Sequence, residues 1–224
     1  MLLTQCADSE EIRDDMPLSK LYELGLKTFK NQEYERSEKY FEALEKQYPY
    51  SDYNLQARLM IGFNMYMQRH YTDGAERFRE FTMLHPHHKD IPYALYMIGL
   101  CLYSRVSYIE RDQSAAKDAA QAFIELVERF PKSVYAEDAK LKLQQMIDHI
   151  SAEELHVARY YEKKHLYHAA LARLDYVTKY SIHHAESYYR KMECYQGLGQ
   201  LEEAEKMKQK LLQEYPDSLF AKKV

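Results

Sequence analysis

The chain has 224 residues and a formal net charge of −4, and 46% of the residues are hydrophobic. This composition is typical of a globular protein, and the net charge offers no basic surface for nucleic acid. No stretch approaches the roughly 20 apolar residues of a membrane-spanning helix. Only six Gly and six Pro occur, too few for the turns of a β-sandwich, so helices are expected.

The chain opens with MLLTQCADSEE, in which Cys6 is followed by a short acidic stretch with no apolar pattern. Leu3 stands where a lipoprotein signal has its leucine, but Gln5 replaces the small residue expected directly before a lipidated cysteine. On these residues alone, a free thiol is the better interpretation. Residues 1–17 are predicted to be a flexible tether, and the first helix is predicted to begin at Leu18.

An internal repeat follows the tether. YELGLKTFKNQEYERSEKYFEALEKQYP aligns with RLMIGFNMYMQRHYTDGAERFREFTMLHP at an offset of 37 residues, which pairs Gly25 with Gly62 and Pro49 with Pro86. Three further copies follow, and the last of them ends at Pro216. Each copy reads as two helices joined by a turn, which is the tetratricopeptide pattern. We predict an all-α fold, a right-handed superhelix of five tetratricopeptide hairpins that together form an α-solenoid.

Small residues recur where the two helices of a hairpin are expected to cross. In the first copy these are Gly25 and Ser37, and a bulky side chain at either position would hold the helix axes apart. Tyr34 and Phe41 are placed to fill the space beside the crossing. The pattern therefore indicates packing roles for these residues rather than chemistry.

Two copies depart from the repeat. Gly99 and Pro131 are 32 residues apart, eight more than in the first copy, so a long loop is expected within SRVSYIERDQSAAKD. A helical surplus then follows in SVYAEDAKLKLQQMIDHISAEELHVARYY. Ser151 and Glu154 have the spacing of a capping box, so this stretch is either two helices or one long helix with a bend.

No residue pattern indicates an active site, a cofactor or a metal. Five histidines form two clusters at predicted turns: His85, His87, His88, His183 and His184. Turn positions favour surface histidines over metal ligands, which must converge in fixed geometry. Cys101 and Cys194 lie in apolar helical patterns that are typical of small buried side chains. We therefore predict that the protein is not an enzyme.

In the first three copies, the first helix carries aromatic residues on the face turned away from its partner helix. They are Tyr22, Phe29, Phe63, Tyr66, Tyr93, Tyr96 and Tyr103. One interpretation is that these rings pack between neighbouring repeats. The other is that they line a groove, because tyrosine suits positions with one apolar and one wet end. Such a groove would accept an extended peptide rich in aromatic residues.

The chain resembles the BamD (ComL) family, the tetratricopeptide lipoproteins of the bacterial outer-membrane β-barrel assembly machine. The resemblance runs from about Leu21 to Pro216. It is carried by QYPYS, LHPHHKDIPYALYMIGL, RDQSAAKDAAQAFIELVERFPKSVYAEDAK and HVARYYEKKHLYHAALARLDYV. The insertion before RDQ and the lengthened helix before VARYY also match, and they are more specific than the repeat itself.

The resemblance implies a scaffold at the periplasmic face of the bacterial outer membrane, within the assembly complex. Residues 91–224 would bind the periplasmic POTRA region of a BamA-like barrel subunit, and other accessory lipoproteins would be further partners. Arg173 in LARLDYV and the pair Arg111 and Asp112 in RDQ match positions near this partner. For Asp112, capping of the following helix is the alternative interpretation.

The resemblance also implies a role for the first two repeats, residues 18–90. They would recognise the C-terminal, aromatic-ending signals of unfolded outer-membrane proteins and so promote their insertion into the membrane. Tyr48 in QYPYS matches a tyrosine of the family's signal-binding site and joins the aromatic set named above. Cys6 would then be lipidated, with palmitate as one of its acyl groups, and this anchor would be the chain's attachment to the membrane.

Two other classes of protein share the repeat. One is an envelope protein that coordinates the Tol–Pal system, which would lack the RDQ insertion and the VARYY helix. The other is a cytosolic peptide-binding adaptor, which often has a basic clamp in its groove. Lys30 and Arg58 lie near the predicted groove, although no convincing clamp emerges from the sequence.

Overall fold

The structure is a computed structural model that describes residues 12–106 and 113–224. Over these two ranges the chain forms ten α-helices and one 3-10 helix, with no β-strand. The α-helices are α1 (Leu18–Lys30), α2 (Tyr34–Gln47), α3 (Asp52–Met67), α4 (Tyr71–Leu84), α5 (Ile91–Tyr103), α6 (Ser114–Arg129), α7 (Ala136–Lys163), α8 (Tyr167–Leu174), α9 (His184–Gly197) and α10 (Leu201–Glu214). The 3-10 helix is Ala221–Lys223. The first helix begins at Leu18, as predicted.

The chain divides into two compact units, Met1–Cys101 and Leu102–Val224. In the first unit α1, α2 and α3 each pack against the next helix along the chain. In the second unit the same sequential packing runs from α6 to α10. The prediction of an all-α array of helical hairpins is confirmed. The assignment of separate binding functions to residues 18–90 and 91–224 stays a prediction.

The first hairpin shows why small residues recur at the crossings. A methyl group on Gly25 would lie 2.8 Å from Cζ of Phe41, a fully buried ring. The hydroxyl of Ser37 donates to the carbonyl of Gly25 at 2.9 Å, which ties the two helices together. Gly62 and Phe78 repeat the close approach in the second hairpin, where the distance is 2.9 Å. The predicted packing role of the small residues is confirmed.

Four second helices end in the same backbone conformation. The residue that follows each helix has φ between −129° and −135° and ψ between 52° and 57°. These residues are Tyr48, His85, Phe130 and Tyr215. A proline comes next in each case, and its ring disfavours the helical conformation in the residue before it. The prolines therefore stop these helices, as the sequence predicts.

Both irregular copies depart from the repeat where the sequence indicates. Helix α5 ends at Tyr103 and α6 begins only at Ser114, which agrees with the extra residues in the third copy. Helix α7 is continuous over 28 residues, so the single long helix is the correct alternative, and Ser151 lies buried within it. Helix α8 has only eight residues, whereas the other second helices have 14 or 16. Residues 175–183 therefore form a loop where the other copies continue the helix.

Two polar side chains of α7 hold this loop in place. Oδ1 of Asp148 accepts hydrogen bonds from the hydroxyl of Ser181 at 3.0 Å and from the backbone N–H of Ile182 at 2.9 Å. The side-chain amide of Gln144 donates to the carbonyl of Tyr180 at 2.8 Å. Ile182 stands where the other copies have proline. The hydrogen bonds from α7 therefore fix the backbone at Ile182, whereas in the other four copies a proline restricts the backbone at this position.

Candidate functional site

The predicted groove residues of the first two hairpins form a chain of aromatic contacts. The ring centroids of Phe29 on α1 and Phe63 on α3 are 5.5 Å apart, and Phe63 stacks on Tyr66 at 6.2 Å. Tyr34 of α2 packs against Phe29, and Tyr71 of α4 packs against Tyr66. All five residues are half-buried. Each ring therefore packs between helices and still keeps part of its surface in water.

Tyr22 on α1 pairs with a residue that the sequence analysis missed. Its ring centroid is 4.8 Å from that of Tyr53, at the start of α3, and 5.9 Å from that of buried Phe41. Burial raises the pKa of the Tyr22 hydroxyl, and the neighbouring Tyr53 raises it further. Tyr53 is 45% exposed. Tyr53 could have been predicted from the sequence, because it lies on the first helix of its copy, as the predicted groove residues do.

Tyr48 has a structural contact that the sequence does not indicate. Its hydroxyl donates to the backbone carbonyl of Met16 at 2.8 Å, and the amide of Gln47 donates to the carbonyl of Arg13 at 3.1 Å. Met16 is buried in the core of the first hairpin. The residues just before α1 are therefore fastened to the end of α2. Tyr50, in the same QYPYS stretch, is fully exposed.

The remaining groove candidates lie on α5. Tyr93 packs edge-on against Phe78 of α4, with ring centroids 5.9 Å apart, and Tyr96 is half-buried. Both belong to the first unit, together with the candidates on α1 and α3. Tyr103, at the end of α5, falls in the second unit and its hydroxyl donates to Gln145 on α7 at 2.8 Å. Six of the seven aromatic candidates thus share one unit.

Arg173, the predicted partner contact, lies near the end of α8. Its Nη1 donates to Oε2 of Glu154 on α7 at 3.3 Å. The side chain of Glu154 is 5% exposed and that of Arg173 is 43% exposed. Burial raises the pKa of the adjacent Glu153 carboxyl, and the charge of Glu154 raises it further, while Arg173 opposes both. Arg173 therefore neutralises a buried carboxylate while part of its side chain remains in solvent.

Two other arginines of the second unit are more fully engaged. Arg159 on α7 holds Glu186 of α9 in a bidentate pair, with Nε at 2.9 Å from Oε1 and Nη2 at 2.6 Å from Oε2. Arg190 donates to Glu186 at 2.7 Å and to Glu162 of α7 at 2.6 Å. Although burial alone would raise the pKa of the Glu186 carboxyl, these hydrogen bonds lower it. The network fastens α9 to α7.

Large apolar side chains are exposed on the loop that follows Arg173. Tyr176, Tyr180 and Ile182 all lie between residues 175 and 183, and each has well over half of its surface in solvent. No sequence pattern marks these three residues, because isolated apolar residues in a loop have no periodicity. Their number within one anchored loop makes this part of the second unit a candidate binding surface.

The buried cysteines and one histidine have packing roles. Cys101 and Cys194 are fully buried, and burial raises the pKa of each thiol to about 12, which confirms the sequence interpretation. The surface position expected for His184 is wrong, since it is 8% exposed and its Nδ1 lies 2.8 Å from the hydroxyl of Tyr215. Within residues 12–106 and 113–224, no group of three or more His, Cys, Asp or Glu side chains could hold a metal ion.

Three predicted site residues lie outside the residues that the structure describes. They are Cys6, Arg111 and Asp112, and their roles in lipidation and partner binding stay predictions. In the part of the chain that is described, no helix is long and apolar enough to cross a membrane.

The sequence matches a known family over most of its length. Residues 14–211 fit the pattern of the family described as YfiO, outer membrane lipoprotein. The chain belongs to the YfiO family. A relative from Rickettsia prowazekii, named outer membrane protein assembly factor BamD, is 30% identical, and the match covers 97% of this chain and 88% of the relative. A relative of the same name from Neisseria meningitidis serogroup A is 31% identical, with 94% and 84% covered. The resemblance to the BamD family is therefore confirmed.

A solved structure supports the fold of this YfiO-family chain. The TPR domain of P58(IPK) superimposes with a TM-score of 0.50 and covers 91% of this chain and 53% of that chain. The two sequences are only 14% identical. The likeness therefore supports the tetratricopeptide arrangement and carries no argument about function.

Proposed function

We propose that this YfiO-family chain is an assembly factor for outer-membrane β-barrel proteins, acting as a binding scaffold without catalysis or a cofactor. The observation that carries the proposal is the family match over residues 14–211, together with relatives named assembly factor BamD. A stacked array of helical hairpins suits this role, because such arrays present extended surfaces to their partners. The protein would work at the periplasmic face of the bacterial outer membrane.

The second unit is proposed to bind the periplasmic POTRA region of a BamA-like barrel subunit. Arg173 supports this assignment, because arginine is enriched among the residues that dominate binding energy and this one is part-exposed. The exposed ring of Tyr176, whose backbone N–H donates to the carbonyl of Arg173, would add apolar area beside it. Arg111 and Asp112 are proposed to contact the same subunit. Other accessory lipoproteins would bind elsewhere on the chain.

The first unit is proposed to receive the C-terminal signals of unfolded outer-membrane proteins. The residues assigned to this site are Tyr22, Phe29, Tyr48, Phe63, Tyr66, Tyr93 and Tyr96. Their rings are half-buried, so they are already held in place and lose little freedom when a peptide binds. A peptide that ends in an aromatic residue would stack on these rings.

The partner assignment is tested by purifying the tagged protein from solubilised envelopes. A BamA-like barrel should accompany the wild-type protein. Arg173→Gln should reduce its yield several-fold, on the order of the loss when a binding hot spot is truncated. Arg129→Gln is the matched control, because Arg129 is a similarly exposed arginine, paired with Glu125 on α6. A wild-type preparation without the barrel would contradict the proposal.

The signal-binding assignment is tested with a fluorescent peptide copied from the C-terminus of an outer-membrane β-barrel protein. Tyr66→Leu keeps the apolar volume but removes the ring, and it should weaken binding by about three- to tenfold. Tyr71→Leu is the matched control, since Tyr71 is also half-buried and touches Tyr66 but lies on the second helix. Equal losses for the two variants would count against a site on the first helices.

The anchor is tested on the native protein. Mass spectrometry should find an acylated Cys6, and fractionation should place the protein with the outer membrane. A free N-terminus in the soluble fraction would favour the alternative, a cytosolic or periplasmic peptide-binding adaptor. Arg58 gives that alternative little support as a groove clamp, since its Nη2 is engaged by Glu45 at 2.9 Å.

A further inference from the structure

The arginines of the second unit differ in how many of their hydrogen-bond donors are used. A guanidinium carries five N–H donors in a planar fork. Arg159 and Arg190 each use two or more nitrogens to hold carboxylates. Among the residues that the structure describes, Arg173 makes a single side-chain bond, of 3.3 Å through Nη1, and its side chain is 43% exposed. Most of its donors therefore make no bond to these residues and can bind water or another molecule.

Glu154 limits where the Arg173 guanidinium can go. The carboxylate of Glu154 is almost completely buried, and a buried carboxylate is costly unless a positive charge stays beside it. Arg173 is the partner that the described residues provide. An arginine side chain without such a contact samples many rotamers, and ordering it on binding weakens affinity. The pair thus holds Arg173 in one position before a partner arrives.

We propose that Glu154 is a positioning residue for partner binding. Its carboxylate holds one nitrogen of Arg173 at the end of α8. The remaining N–H donors of Arg173 are therefore already ordered when the partner binds. This inference rests on the proposed function, in which Arg173 contacts the POTRA region of a BamA-like subunit. Glu154 itself is too deeply buried to touch that subunit.

The test is a double-mutant cycle on binding of the full chain to the purified POTRA region of the BamA-like subunit from the same organism. Glu154→Gln keeps the shape of the side chain but removes its charge, and it should weaken binding about three- to tenfold. In the Arg173→Gln background the same change should cause no further loss of affinity. Glu137→Gln is the control on α7, because Glu137 is exposed and pairs with Lys140, and its affinity should match the wild type.

A second readout separates positioning from a purely structural role. The Nε–H resonance of Arg173 in NMR spectra should report a more mobile side chain in Glu154→Gln, while the circular dichroism spectrum stays that of a folded helical protein. If Glu154→Gln does not fold, Glu154→Asp replaces it, and its shorter side chain should give a smaller loss of affinity in the same direction.

The possible results distinguish the positioning role of Glu154 from the proposed partner site at Arg173. Wild-type or tighter binding by Glu154→Gln, with weakened binding by Arg173→Gln, would overturn the positioning role and leave the proposed partner site standing. Wild-type binding by Arg173→Gln would overturn the partner site, and the positioning role would fall with it. An equal loss from Glu154→Gln in both backgrounds would show a general structural effect and would also overturn the inference.

Discussion

Reversing the charge of Arg173 should destabilise the protein as well as weaken its partner binding. Arg173→Glu would remove the counter-charge of buried Glu154 and place a third carboxylate beside Glu154 and Glu153. Loss of one partner from a fully buried pair costs about 3–5 kcal/mol. Because the Arg173 side chain is 43% exposed, water screens much of the interaction between the two charges. Loss of this pair is therefore expected to lower the free energy of unfolding by about 1 kcal/mol.

The new carboxylate adds repulsion to that loss. Two like charges about 4 Å apart repel by at most roughly 4 kcal/mol near a protein surface. A flexible side chain can turn towards solvent, so we expect about 1 kcal/mol from this effect and about 2 kcal/mol in total. For a protein of this size, about 2 kcal/mol lowers the melting temperature by roughly 4–8 °C.

Thermal unfolding at neutral pH, followed by circular dichroism, measures this effect. Arg173→Gln should lose about half as much unfolding free energy as Arg173→Glu. Adding Glu154→Gln to Arg173→Gln should restore most of the stability, since the buried charge is then gone. The raised pKa of Glu153 means that the folded state favours the protonated carboxyl, so folding becomes more favourable as the pH falls. The stability that Arg173→Glu loses relative to the wild type should therefore become smaller as the pH falls towards 4. A charge-reversed variant that melts with the wild type would refute this reasoning.

Three further predictions concern packing. Gly25→Ala should cost about 1–3 kcal/mol in urea unfolding because the new methyl group meets Phe41 at 2.8 Å, and an unchanged midpoint would contradict the crossing contact. The backbone N–H of Ile182 donates to Asp148 at 2.9 Å, so Asp148→Ala should speed hydrogen exchange at this amide. Unchanged protection would show that this hydrogen bond does not hold the loop. Cys194, with a thiol pKa of about 12, should react with iodoacetamide at pH 8.5 only after unfolding, and labelling of the native protein would contradict its burial.

The fold could be predicted because its signals are local and repeated. The close approach of Gly25 and Phe41 joins residues 16 apart, and the same spacing recurs for Gly62 and Phe78. Proline stops a helix by its own covalent structure, so the ends of four second helices can be read from single residues. Even the two departures from the repeat were visible as extra residues between Gly99 and Pro131 and within the long helix.

The missed features are contacts between distant parts of the chain. The hydroxyl of Tyr48 bonds to the backbone of Met16, and any residue at position 16 would offer the same carbonyl. His184 reads as a turn residue, but it is the first residue of α9 and its partner Tyr215 comes 31 residues later. Neither contact leaves a pattern in the sequence, because a single polar partner at long range has no periodicity.

The aromatic candidates show why packing and binding are not alternatives in such an array. Phe29 and Phe63 touch across neighbouring hairpins, as the packing interpretation requires, yet both are only half-buried. A ring that fills the space between two repeats is held by both of them, so its exposed part is ordered before a peptide arrives. The sequence suggests that a ring lies either in the core or in a groove. In the structure, one face of a ring can pack between repeats while its other face stays exposed to a groove.

Arg173 has a proposed contact with the partner and an observed bond to Glu154, and its variants must be interpreted with both in mind. The resemblance of the sequence to the family predicts a partner contact for Arg173, but the sequence does not indicate its bond to Glu154. A variant that removes the guanidinium would remove the proposed contact to the partner, and it also leaves a carboxylate buried without its counter-charge. Reduced co-purification would then follow from either cause. Removing the carboxylate together with the guanidinium cancels the second cause, and whatever loss of binding remains belongs to the contact itself.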